Sequence, residues 1–189
     1  MKYTHPIAAL AILSFVAACG RDSAPASGET ASASAAASPA TGNSDAPFAF
    51  TDADLDAYER GMRKEIELVH AAKARGDSAK TPAERGAASQ DGFETTTAPA
   101  AAQAVGAPVE RYQATRRTVN HVFETLDFQG KIAGPMEVDT AHATPEMKQR
   151  LTSDPFSGLA PASAAALRAR LEALSKVWIE YANLVAVNG

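Results

Sequence analysis

The chain is short of cysteine, of aromatic side chains and of any long apolar run. Its 189 residues include one cysteine, Cys19. A single thiol cannot close an intramolecular disulfide, so the fold must rest on apolar packing. Aromatic residues make up 6% of the chain, with one tryptophan. That scarcity, with abundant alanine, disfavours a β-sandwich and favours helices that approach closely through small side chains. Basic residues are not in excess: 18 Lys and Arg stand against 22 Asp and Glu, a formal charge of −4. A mildly acidic chain has no general attraction for nucleic acid, and no nucleic-acid partner is expected. The apolar run Ile7 to Ala18 is broken by Ser14. As a helix it rises about 18 Å against a hydrocarbon core of roughly 30 Å, too short to persist as a membrane span.

Motifs of chemistry are equally sparse. There is no Gly-x-Ser-x-Gly elbow and no glycine-rich phosphate loop. A carboxylate-bridged two-metal bundle needs Glu-x-x-His on two helices, and only Glu67-Leu68-Val69-His70 has that order. His121 to Glu124 runs in reverse. His70, His121 and His142 read as unrelated boundary histidines rather than a mononuclear site. Met62 lies on an apolar stripe and reads as core, and no Cys-x-x-Cys-His haem attachment occurs. No cofactor and no catalytic residue is assigned, and nothing recommends an enzyme.

What is present begins at the N-terminus. Lys2, the apolar run and the small residues that follow have the three-part layout of an export signal. Val16-Ala17-Ala18-Cys19 is an aliphatic residue, two small residues and a cysteine. These four positions resemble the lipobox of bacterial lipoproteins. The resemblance is confined to the first 19 residues. It implies cleavage between Ala18 and Cys19 and acyl chains on Cys19, which would tie the protein to a membrane. Gly20, where inner-membrane retention usually places Asp, implies the outer membrane of a Gram-negative envelope, facing the periplasm. The other reading is an ordinary cleaved signal that leaves a free thiol.

Residues 1–18 are thus expected to be a signal peptide, 19–47 a lipidated and disordered tether, and 48–189 a folded domain. The tether is rich in Ala and Ser and has few large apolar side chains with which to offset the entropy of ordering.

The domain is expected to be all-α, an antiparallel four-helix bundle with a short extra helix in the last crossover. Thr51 with Asp54 opens the first helix, whose stripe is Leu55, Tyr58, Met62, Ile66 and Val69, and Gly76 should end it. Thr81-Pro82-Ala83-Glu84 opens a second, weaker helix. Gly86, Gly92 and Pro99 loosen that helix, and two shorter pieces are an equal alternative, with Pro99 as a kink or break. Pro108 opens a third, with Val109, Tyr112, Val119, Val122, Phe123 and Leu126 on one face, interrupted by Thr115 and Arg116. A short helix follows Thr144-Pro145. Pro161 opens one last long helix with Leu167, Leu171, Leu174, Trp178, Tyr181 and Val185 as its stripe. Arg168, Glu172, Lys176 and Glu180 form an i,i+4 ladder on its flank.

Two features stand out as candidate sites. The connection 128–144 is long for a compact domain. It carries Lys131, Glu137, Asp139 and His142 as a candidate binding loop, with a strap closing one end of the bundle as the plainer reading. Arg111, Arg116 and Arg117 form a candidate basic patch for an anionic glycan or a protein carboxylate, or simply a solvated face. The leading functional expectation is an interaction module for another envelope protein or glycan. A small-ligand or metal carrier with a pocket between helices competes with it. An envelope hydrolase, built if Glu137, Asp139 and His142 converge on a concave site, is the weaker alternative.

Overall fold

The computed structural model describes residues 48–186. The signal segment, Cys19 and the tether lie outside the described residues. Within them the chain is all-helical: seven α-helices, one 3-10 turn and no strand. None of these helices is long and apolar enough to cross a membrane.

The long helix α1 (Asp52–Ser78) starts at a reciprocal cap, Thr51 accepting from the Asp54 amide and Asp54 from the Thr51 amide. Its stripe is wholly inside: Leu55, Tyr58 and Met62 have no exposed surface. Helix α2 (Pro82–Asp91) opens with the same device, Thr81 with Glu84. The second predicted helix is in fact two, α2 and α3 (Glu94–Ala104). The break falls at Gly92-Phe93, while α3 runs straight through Pro99. Close packing explains the position: a Cβ on Gly92 would sit 3.3 Å from Ala72 Cβ on α1. Pro99 deprives α3 only of the donor for one carbonyl a turn earlier, and α3 continues through it.

Helix α4 (Val109–Phe128) ends at Gly130, whose φ of 66° suits a residue without a side chain. A 3-10 turn (Thr140–His142) and helix α5 (Pro145–Thr152) follow. The last predicted helix is also two, α6 (Pro161–Ala169) and α7 (Leu171–Ala186). The chain turns at Arg170, which bonds Asp56 at 2.6 Å and Glu59 at 3.0 Å on α1. Ser163 on α6 meanwhile exchanges two hydrogen bonds with the Phe50 backbone, at 2.8 and 2.9 Å. Of the flank ladder only Glu172–Lys176 forms, at 2.8 Å. Arg168 instead covers the Phe156 ring.

Arg170 binds near the start of α1, while Ala182 and Val185 face the same cavity as Val69 and Ala72 near its end. Helix α7 therefore runs in the same sense as α1, which departs from a plain up-and-down arrangement. The main core joins α1, α4, α6 and α7, with Phe123 and Trp178 ring to ring at 5.9 Å. Each such fully buried large side chain stabilises by roughly 1.5–3 kcal/mol. Helix α3 meets α4 through a smaller cluster, Ala98, Ala102 and Tyr112.

Candidate functional site

Two stripes carry charge into the interior. Glu65 lies between Met62 and Ile66 on α1 and has no exposed surface, and Arg116 on α4 is 2% exposed. Arg116 Nε donates to both Glu65 oxygens, at 2.9 and 3.1 Å, and the Tyr112 hydroxyl donates to Glu65 at 2.7 Å. On the other side Arg116 reaches Glu94, at the start of α3, at 2.6 Å. Its guanidinium also lies 5.2 Å from the centre of the Tyr181 ring. Burial raises the Glu65 carboxyl above its ordinary range, against the pull of Arg116 and Tyr112. Burial works against the Arg116 charge, but Glu65 and its other neighbours outweigh it and hold the guanidinium ionised. Burial pushes the Tyr181 hydroxyl up to about 12. The Tyr112 ring rests directly on Gly61, whose place no larger residue could take without moving it. Beside this network the Thr97 and Thr115 hydroxyls are buried without a hydrogen-bond partner among the described residues.

Next to the network lies a cavity of about 1040 Å³, open to solvent. Val69 and Ala72 of α1, Phe93 at the α2–α3 corner, and Trp178, Ala182 and Val185 of α7 form its apolar wall. Asn120 of α4, 8% exposed, reaches it from the interior, and Glu94 and Tyr181 connect it to the buried ion pair. Pro135 and Met136 of the strap close one side. Phe93 and Met136, 57% and 39% exposed, are the exposed large apolar side chains among the described residues, and both line this cavity. Scattered exposed apolar residues need no explanation, but two on one rim mark a place where apolar surface can be covered.

The strap is held by one carboxylate. Asp127 is 3% exposed and accepts from the Gly134 amide at 2.8 Å and the Met136 amide at 3.0 Å. Phe128 is buried and Ile132 packs on the core. The candidate loop residues Lys131, Glu137, Asp139 and His142 are all exposed and line neither cavity. Asp139 and His142 pair at 2.6 Å, and that bond keeps the Asp139 carboxyl below its usual range.

The basic patch is not assembled. Arg116 is inside, because Glu65 on the facing helix and the Tyr181 ring enclose it. Arg111 is spent on Asp54, at 2.7 and 2.9 Å, and on the Ala49 carbonyl, with Phe48 under its guanidinium. Arg117 faces a second, smaller cavity of about 430 Å³, shared with His121 and Asp154. Among the described residues no three His, Cys, Asp or Glu side chains converge as a metal site.

Sequence reading singled out neither Glu65 nor Asn120. A carboxylate inside the α1 stripe, facing an arginine that interrupts the α4 stripe, was the available signal for the ion pair. Comparison with known proteins adds no further name: no protein-family model, curated protein or solved structure matches the chain.

Proposed function

We propose that this helical bundle is a binding protein, and that the cavity beside α1 and α7 holds a small, largely apolar guest. Of the readings open from sequence, the carrier with a pocket between helices is the one this geometry favours. The observation that carries it is the coincidence of the large cavity with both exposed apolar side chains, Phe93 and Met136. Its volume of about 1040 Å³ lies just above the range of about 300–1,000 Å³ in which small ligands bind. Trp178 and Tyr181, each less than a tenth exposed, give the wall rigid aromatic surface.

The same apolar rim also suits the interaction-module reading, in which a partner side chain or helix covers it. The lipobox resemblance at Cys19 supports an envelope setting, with acyl chains holding the protein to a membrane and the tether giving the domain reach. Mass spectrometry of the exported product, finding Cys19 acylated or bare, tests that part.

Titration with the uncharged apolar fluorophore N-phenyl-1-naphthylamine tests the cavity. Saturable binding at one site per chain, lost when Ala182→Phe fills the wall, is the expected result. Unsaturable binding, or binding indifferent to Ala182→Phe, contradicts it.

A further inference from the structure

We infer that the cavity selects an uncharged amphiphile, whose head accepts a hydrogen bond from Asn120 Nδ2 while its chain lies along the apolar wall of α1 and α7. This rests on the cavity being a ligand site, and adds the chemistry of the ligand.

The first observation is Asn120 itself. Its Oδ1 accepts from the Tyr58 hydroxyl at 2.8 Å. That bond fixes the amide plane and leaves Nδ2 without an acceptor among the described residues, in a side chain that is 8% exposed and borders the cavity. Nδ2 is not among the fully buried unpartnered atoms, so it keeps contact with the solvent of the open cavity. A guest that displaces this water must accept from it instead. The group that takes the water's place is an acceptor: a carbonyl, ester, ether or hydroxyl oxygen.

The second observation is charge. Carboxylates in the lining outnumber cations, four to two. Glu94 shares the single charge of Arg116 with Glu65, and Lys73 pairs with Asp77 at 4.0 Å. Asp127 is committed to the strap amides. Glu124 lies one helical turn beyond Asn120 and has no cation partner among the described residues. An anionic head bonded to Asn120 would therefore meet Glu124 and Asp127 on the same helix. Arg85, on the exposed α2, is the lining cation without a carboxylate partner among the described residues. Being exposed, it remains well hydrated and offers an anion little. A quaternary ammonium head suits the carboxylates but leaves Nδ2 without an acceptor.

Trp178 is the only tryptophan in the chain and lines the cavity, so its fluorescence reports occupancy. The full chain is titrated with three probes of equal chain length, each below its micelle concentration: 1-lauroylglycerol, laurate and dodecyltrimethylammonium. The glyceride is expected to saturate the signal and to bind about tenfold more tightly than either ion. Asn120→Asp keeps the acceptor for Tyr58 and removes the donor, and should weaken glyceride binding by about tenfold. Laurate binding as tightly as the glyceride overturns the inference, above all if Arg85→Gln abolishes it. Tighter binding of the cation, or an Asn120→Asp variant that is folded by circular dichroism and binds unchanged, overturns it equally. The ranking of the three probes on the unaltered chain decides the matter even if the variant does not fold. If N-phenyl-1-naphthylamine binds but the ranking fails, only the head-group assignment falls. If neither it nor any amphiphile binds, the cavity reading falls with it.

Discussion

Arg116 Nε sits between the two oxygens of Glu65, 2.9 and 3.1 Å away, where neither side chain reaches bulk water. Such a pair is weak evidence of net stability, because both charges were taken out of water to form it. Breaking it is another matter. Arg116→Met alone should destabilise the domain by about 3–5 kcal/mol, by stranding the Glu65 carboxylate, and Glu65→Leu should cost less, because Arg116 keeps Glu94 at 2.6 Å. The double variant should recover most of that loss. Urea denaturation of the four proteins as a double-mutant cycle measures it, and a strictly additive double variant would contradict the pairing.

Arg111 holds the Asp54 carboxyl down at about 2, helped by the Thr51 hydrogen bonds. A carboxyl depressed in the folded state stabilises above its unfolded value near 3.8, and that contribution is lost as pH falls through the folded value near 2. Arg111 is 40% exposed, so solvent screening leaves about 1 kcal/mol at neutral pH. Asp54→Asn should be less stable by that amount at pH 7, with the gap to the native chain closing between about pH 4 and pH 2. A gap independent of pH would show that Asp54 acts only as a helix cap.

Two glycines should respond in opposite directions. Gly61→Ala drives a methyl group into the Tyr112 ring and disturbs its bond to Glu65. A loss of about 1–3 kcal/mol is expected from such overpacking. Gly86, within α2, has open space around its missing Cβ. Gly86→Ala should raise stability by roughly 0.5–1 kcal/mol through helix propensity alone. Thermal unfolding of both variants checks the contrast.

The strap depends on Asp127. Asp127→Ala removes the acceptor of the Gly134 and Met136 amides together. Hydrogen exchange at those two amides should quicken markedly, while the amides of α1 retain their protection. Unchanged exchange would mean the strap is held by the packing of Phe128 and Ile132 instead.

What was legible in sequence was local. Thr51 with Asp54 and Thr81 with Glu84 announce the starts of α1 and α2, because capping is chemistry within one turn. The stripes of α1 and α4 name most of the core for the same reason. The turn at Arg170 was not legible, since it goes with partners on α1 more than a hundred residues away. The break at Gly92 depends on Ala72 in the same way. The three arginines of α4 look alike in sequence. Facing side chains alone separate Arg116, enclosed by Glu65 and Tyr181, from Arg111 on Asp54 and from Arg117, which borders the smaller cavity. The cavity is assembled from α1, the α2–α3 corner, α4, the strap and α7, so no single stretch of chain could reveal it.

The cavity is the centre of the account, and methyl NMR addresses it directly. The full chain, labelled at alanine and valine methyl groups, is titrated with dodecanol. Resonances of Val69, Ala72, Ala182 and Val185 should shift together and saturate, while Val122, at the smaller cavity on the other side of α4, stays still. Shifts centred on Val122, or no saturable shift at all, would contradict the assignment of this cavity as the binding site.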